Sequence, residues 1–207
     1  MYTPNHFREA DVQEFIDLMR LNPLGIIVWQ STNGLTADHV PLFYKNNKLI
    51  GHIAKANPMG KETITSPVLV IFQGANAYIS PNWYPTKQED HKAVPTWNYA
   101  TVHVHGQINF MAENKDKRHI LQELTAIHEA TEETPWSMAD APADYTEKMI
   151  NGVIGIEIVI SKIEGKWKVS QNQPSKNKQG VVENLQKRTG SNPEKMIDYI
   201  KKRDTSL

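Results

Sequence analysis

The chain reads as a mainly β fold, an antiparallel barrel with helices packed outside it, and three observations lead there. Runs in which apolar and polar residues alternate recur along the chain, as strands with one buried face require. The connections between those runs are of hairpin length and carry turn residues: Asn33-Gly34, Asn46-Asn47, Glu164-Gly165. The order is helix, strands, helix, strands, without the βαβ rhythm of a parallel sheet.

Taken in order, residues 1–9 (MYTPNHFRE) form an extended arm. Asp11 caps a helix over 12–20, with Phe15, Ile16 and Met19 on one face, and Pro23 ends it. Residues 24–30 (LGIIVWQ) are apolar on both faces and read as a buried strand. Its partner over 35–44 contains Pro41, which argues for an edge or a bulge. A third strand over 49–54 stops at Asn57-Pro58, and 68–72 (VLVIF) form a central strand leading through Gly74 to a short strand over 77–80. A polar loop fills 86–93, and after Pro95 a long strand runs to Phe110. Residue Asn114 caps a helix reaching about Ala130, and a short helix is expected over 144–150. Strands over 153–163 and 167–171 are expected to flank a turn at Glu164-Gly165. Helices over 181–189 and from Pro193 to about Arg203 follow, the second capped by Ser191 or Asn192. The expected division is a barrel domain over 1–175 and a basic helical tail over 176–207.

Composition excludes several classes of function. Lys+Arg and Asp+Glu both number 23, so no general basic bias favours nucleic acid. There is no cysteine, hence no disulfide, thiolate metal site or thiol nucleophile. No apolar run approaches membrane-spanning length and the N-terminus has no signal-peptide character, so a cytoplasmic protein without membrane contact is expected. The tail differs: from Lys176 onward there are eight Lys/Arg and four Asp/Glu, a formal +4, which leaves −4 on the residues before it. His103 and His105 share a strand face, but no carboxylate motif accompanies them and no metal is expected. Hydrolase, P-loop and dinucleotide motifs are absent.

The densest chemistry lies in residues 77–106, AYISPNWYPTKQEDHKAVPTWNYATVHVHG. They hold two of the five tryptophans, three of the seven tyrosines and three of the eight histidines. An aromatic cluster beside prolines at strand mouths either lines a small-molecule pocket or fills core and interface. AYISPNWY followed by PTWNY, with MYTPNHF, GHIAKANP at 51–58 and GKWKVSQNQP at 165–174, resembles the PaiB family of FMN-binding negative transcriptional regulators. The resemblance runs to about residue 188. It implies an FMN-binding split β-barrel that forms a homodimer, related to the pyridoxamine phosphate oxidases.

The resemblance also implies where the cofactor sits. In GHIAKANP, His52, Lys55 and Asn57, with Lys61 in the next turn, stand where the flavin split barrels grip the FMN phosphate; read from the residues alone they are an ordinary polar strand end. An arginine is usual there, yet Arg8, Arg20, Arg118, Arg188 and Arg203 all lie outside the expected strands between 24 and 110, so lysines would have to serve. Trp97, Asn98 and Tyr99 resemble the part that lines the isoalloxazine or a neighbouring ligand, or else fill the dimer core. Lys168, Ser170 and Asn172 alternate with Val169 and Gln171 on the last strand, whose end (Lys168, Ser170, Gln171, Asn172) reaches the cofactor in related proteins. The function implied is repression of genes for extracellular proteases and sporulation, with no catalytic residue evident. The alternatives are a flavin-dependent oxidoreductase of the pyridoxamine phosphate oxidase type and a haem-binding split-barrel protein. DNA contact would fall on the tail, through Lys187, Arg188, Lys195, Lys201, Lys202 and Arg203; a solvated helical pair packed on the barrel is the competing reading.

Overall fold

In the computed structural model, which describes residues 1–190 and 192–204, the strands and helices follow in the expected alternation. The order is β1 (Arg8–Glu9), α1 (Val12–Leu21), β2 (Leu24–Ser31), β3 (Gly34–Lys45), β4 (Lys48–Ala54), β5 (Val68–Ile79), α2 (Lys87–Asp90), β6 (Thr96–Met111), α3 (Asn114–Glu129), α4 (Ala143–Asn151), β7 (Val153–Lys168), α5 (Ser175–Leu185) and α6 (Pro193–Lys202). Hydrogen-bonded neighbours run β1-β7-β4-β3-β2-β5-β6, and β7 pairs with β6 as well, so six strands close into a ring. Closure leaves those six strands no free edge to template aggregation. No helix among the described residues is long and apolar enough to cross a membrane.

Turn chemistry sets the register. Asn46 and Asn47 both take left-handed backbone (φ 50° and 59°), as a two-residue hairpin between the paired Lys45 and Lys48 demands. In the β2–β3 hairpin Ser31 faces Gly34, so the loop is Thr32-Asn33, one residue earlier than expected, and Gly34 (φ 113°) opens the next strand. Pro41 was expected at an edge or bulge, yet β3 lies between β2 and β4. The proline is tolerated because it sits where one ladder ends and the other begins: Leu24 faces Pro41, and pairing with β4 starts at Leu42 opposite Gly51.

Three segments differ from expectation. The strand through 68–72 does not stop at Gly74 but continues as one strand to Ile79. The polar run at 175–180, ahead of the expected helix, begins α5, so that helix covers Ser175–Leu185 rather than 181–189. The expected turn at Glu164-Gly165 is instead the middle of a ladder, with Glu9 facing Gly165 and Arg8 facing Lys166. Glycine is there for proximity. A Cβ at 165 would lie 2.1 Å from Phe15 Cε1 and 2.7 Å from Trp167 Cζ3.

The chain forms two compact units. One comprises Met19–Phe72 and His103–Ile163. Its interior is mostly aliphatic, with Ile27, Leu42, Leu49, Ile156 and Ile158 fully buried beside Phe72, and Ile120 and Leu124 of α3 are buried in the same unit. A polar chain inside it runs from Trp29, whose Nε1 donates to Asp38 Oδ2 (2.8 Å), to Asn57, whose Nδ2 donates to Asp38 Oδ1 (2.7 Å). The other unit comprises Met1–Leu18, Gln73–Val102 and Glu164–Leu207. Its centre is Trp167, fully buried between Phe15 (6.1 Å between ring centroids) and Tyr199 (6.0 Å). Val181, Leu185, Met196 and Ile200 of α5 and α6 are buried in the same unit, as the apolar faces of an amphipathic helical pair must be.

Because the neighbours of Gly165 are buried rings, substituting it overpacks the unit. Gly165→Ala is expected to lower stability by about 1–3 kcal/mol. A urea midpoint equal to that of the parent chain would show that the rings yield freely.

Candidate functional site

The residues singled out by sequence fall in both units. In the barrel unit, His52 lies half-buried on β4, its Nδ1 shielded and without a hydrogen-bond partner among the described residues. Burial lowers its pKa, so it is held neutral. Lys55 and Lys61 are both exposed. Asn57 has its amide committed: Oδ1 accepts from Met59 N (2.8 Å), capping a short 3₁₀ turn, and Nδ2 donates to Asp38. A phosphate here would therefore be met by two solvated ammonium groups rather than by a formed cradle.

In the other unit the structure gathers four of the expected residues around one cavity. Asn98, Lys168, Ser170 and Asn172 line a space of about 260 Å³ together with Tyr84, Thr86, Lys92, Thr96, Gln173 and Asn177. Ser170 does not continue the strand alternation that was expected. β7 ends at Lys168, and Ser170 adopts left-handed backbone (φ 67°) in a turn, the kind of strained position that recurs at binding sites. That turn directs its hydroxyl inward, where Oγ accepts from Nδ2 of the buried Asn98 (2.9 Å) and is hydrogen-bonded to Tyr84. Burial raises the Tyr84 phenol, and the Ser170 bond partly offsets this.

The opposite wall comes from α5. Gly180 lets the helix approach the 3₁₀ turn at Pro81–Trp83, since a Cβ there would meet Trp83 O at 2.1 Å. Asn177, 2% exposed, then reaches Thr86: Oδ1 accepts from Thr86 N (3.3 Å), and Nδ2 donates to Thr86 Oγ1 (2.9 Å) and Gln173 Oε1 (3.0 Å). Thr86, Gln173 and Asn177 were not identified from sequence. Nothing in their spacing marks them, although Gln173 lay in GKWKVSQNQP, as Tyr84 lay in AYISPNWY and Thr96 in PTWNY. The other expected residues sit outside the cavity lining. Trp97 is half-exposed and edge-on to Tyr78 (6.1 Å), Tyr99 lies under the Lys166 ammonium (5.2 Å), and Gln171 braces the turn by accepting from Val169 N (2.8 Å).

Lys168 is one of the two lysines that line the cavity. It donates to Thr96 Oγ1 and to Trp97 O, the latter at 2.6 Å. Burial, and after it the neighbouring Lys166 charge, hold its pKa below that of an ordinary lysine. The cavity's donor set fits a flavin: amide groups suit a pyrimidine edge and the ammonium suits a phosphate. A second cavity, in the barrel unit, has about 220 Å³ and a contrasting electrostatic character. Its lysines are matched, Lys45 with Glu123 and Lys48 with Glu157 (2.8 Å).

The tail cations assigned to DNA are engaged in several ways. Arg203 is ion-paired with Glu9 and Glu14 and lies over Trp167 (5.2 Å), and Lys202 pairs with Glu14. Arg188 lies over Trp83 (4.6 Å) and Lys195 over Tyr199 (5.4 Å). Lys187 and Lys201 are exposed. Lys178 pairs with Asp204 at 2.9 Å, both nearly buried. Of the two residues expected to cap α6, Asn192 does so, accepting from Lys195 N (3.2 Å), and Ser191 lies outside the described residues.

A family described as "Putative FMN-binding domain" matches residues 1–162. Over 208 residues the chain is 29% identical to "Protease synthase and sporulation protein PAI 2" of Bacillus subtilis, covering 97% of this chain and 96% of that protein. Over 223 residues it is 30% identical to the uncharacterized protein AN0679 of Emericella nidulans, covering 88% and 89%. Among solved structures, the flavocytochrome Anf3 from Azotobacter vinelandii has a TM-score of 0.60 at 11% identity, covering 78% of this chain and 69% of that one. The FAD and heme binding protein from Mycobacterium smegmatis has a TM-score of 0.59 at 14% identity, covering 78% and 73%. At such identities the likeness is one of fold, and it bears out the mainly β split barrel with peripheral helices.

The interactions of Glu14 make acid stability testable. Burial alone would raise its carboxyl, but hydrogen bonds and charge from Lys202 and Arg203 outweigh burial and hold it below the ordinary glutamate value. A folded pKa below the unfolded one stabilises the native state above the ordinary glutamate range, and that contribution is lost as pH falls. Glu14→Gln is thus expected to cost about 1–3 kcal/mol at neutral pH, with the gap to the parent chain narrowing towards about pH 3. A gap constant across that range in chemical denaturation would refute the linkage.

Proposed function

The chain belongs to the putative FMN-binding domain family, and from that membership we propose that it is a flavin-binding regulator, holding FMN and acting as a repressor of gene expression rather than as an enzyme. The observation that carries the flavin reading is the convergence of Asn98, Lys168, Ser170 and Asn172 on one cavity. Asn98 Oδ1 offers an acceptor to the pyrimidine edge while its Nδ2 is engaged on Ser170. From the family resemblance alone, His52, Lys55, Asn57 and Lys61 are the candidates for the terminal phosphate, and Trp97, Tyr99 and Gln171 for the cofactor's surroundings. A bound flavin supplies one- and two-electron chemistry, and the residues named here bind and orient it.

At about 260 Å³ the cavity lies just below the ~300–1,000 Å³ usual for a whole drug-sized ligand. A homodimer fits this, a second copy covering what one protomer leaves open, with the exposed Val94 and half-exposed Trp97 as apolar surface to bury. Such an interface should bury on the order of 2,000 Å² in total. Support for the regulator reading comes from the similarity to the Bacillus subtilis protein, whose name places it in protease synthesis and sporulation. A cytoplasmic location goes with that role.

Two experiments test the reading. Freshly purified protein should show flavin bands or take up FMN as a dimer in sedimentation, and Lys55→Ala should weaken FMN roughly ten- to hundredfold while leaving riboflavin nearly unchanged. A monomer that takes up neither flavin would end the flavin reading; equal weakening of both ligands would remove Lys55 from the phosphate.

DNA contact is assigned to the tail. Lys202 and Arg203 are largely neutralised by Glu9 and Glu14, so the proposal rests on Lys187, Arg188, Lys195 and Lys201; stacking on a ring leaves Arg188 and Lys195 their charge. Truncation within α5 would remove the buried Val181 and Leu185, and with α6 the Tyr199 ring that packs on Trp167, so charge reversal is the cleaner test. Lys187→Glu with Lys201→Glu should weaken DNA binding and reduce the log–log salt slope by about 0.9 for each DNA phosphate that the variant no longer neutralises. Unchanged affinity and slope would exclude the tail as the DNA-binding surface.

A further inference from the structure

The cavity lined by Lys168 has an electrostatic character that the flavin reading does not require. Among the described residues, two lysines and no carboxylate line it. A third cation stands behind them: Lys166, 8% exposed, is two residues from Lys168 on the same strand face, ~7 Å away by strand geometry. The Lys166 and Lys168 ammonium groups are met by neutral groups. Lys166 Nζ donates to Tyr2 O (3.2 Å) and lies over the Tyr2 and Tyr99 rings at 5.7 and 5.2 Å. Lys168 Nζ donates to Thr96 Oγ1 and Trp97 O. A buried cation is ordinarily matched by a carboxylate, as Lys178 is by Asp204 in the same unit. Neither Lys166 nor Lys168 has such a match among the described residues.

The neutral side chains point to the same kind of ligand. Thr96 Oγ1 accepts from Lys168 and Thr86 Oγ1 accepts from Asn177, which leaves both hydroxyl protons to be donated. Lys168 uses two of its three N–H groups on the protein, so the third is available. Together these make a pocket of donors and positive charge. We infer that it binds a compact oxyanion of the phosphate-monoester class, held by Lys168 and the hydroxyls of Thr86 and Thr96, with Lys166 adding field from behind. The inference stands without the flavin reading. The anion has two sources to be told apart: a phosphorylated metabolite separate from the flavin, which leaves the FMN phosphate to Lys55 and Lys61, or that phosphate itself, which moves it from those lysines to Lys168.

Calorimetric titration of the full chain with inorganic phosphate tests this. Saturable binding, about one per protomer, is expected, weakened roughly ten- to hundredfold in Lys168→Met and restored by Lys168→Arg. The far-UV circular dichroism spectrum and the unliganded unfolding midpoint serve as controls that Lys168→Met is folded. No saturable phosphate binding to the parent chain, or undiminished binding to a folded Lys168→Met, overturns the inference. Competition of phosphate with FMN but not with riboflavin would assign the anion to the FMN phosphate; competition with both, or with neither, would assign it to a separate metabolite. If phosphate binds and neither flavin does, the flavin reading falls and the anion site stands.

Discussion

The Phe15 ring occupies the space that any side chain at position 165 would need. Because that space is given to the ring, β7 runs straight on where a Glu-Gly pair would ordinarily turn the chain, and Trp167 is carried into the interior. Lys166 and Lys168 then fall on the opposite pleat, the side on which the cavity forms, because successive side chains of a strand alternate. A hairpin at 164–165 would break the pairing of Arg8 and Glu9 with β7 and remove the surface on which α6 packs through Tyr199.

The two cavities show how similar residues serve different ends. Lys45 and Lys48 meet glutamates across the gap between elements, so they contribute modest surface ion pairs and leave little net field. Lys168 sits deeper, among carbonyls and hydroxyls, where its charge is only partly solvated and is pushed towards the neutral form. A site that disfavours its own cation gains most when an anion arrives, because the ligand supplies the missing counter-charge. The Arg203 cluster does the reverse: Glu9 and Glu14 satisfy the guanidinium, and the result fastens α6 to the N-terminal arm.

Much of the fold is legible in the residues. Asp11 before an apolar face gives α1, and its Oδ1 does accept from Gln13 N at 2.8 Å. Asn46-Asn47 gives a tight hairpin because asparagine tolerates left-handed backbone. The site is partly legible, since four residues within the quoted motifs do meet at one cavity. The failures share a cause: local chemistry is outweighed by partners distant in sequence. Glu164-Gly165 has turn composition, but Phe15 decides its use. Asn177 and Lys178 lie in a polar stretch ahead of the expected helix, yet both are buried, one by hydrogen bonds to Thr86 and the other by Asp204. Ser170 reads as a strand residue by its alternation, and only a turn lets it reach Asn98. The tail reads as outward-facing charge, and the glutamates that take up Lys202 and Arg203 lie nearly 190 positions earlier.

The unit centred on Trp167 is assembled from three separated segments, and that has a consequence for synthesis. Phe15 and the first strand leave the ribosome long before residues 165–167, against which they pack. At ~5–20 residues per second, the wait is on the order of 10–30 s. During that interval the apolar face of α1 has no native partner, while the hairpins of β2, β3 and β4 are local and already able to form. The growing chain therefore carries an uncovered α1 face until residues 165–167 have been made.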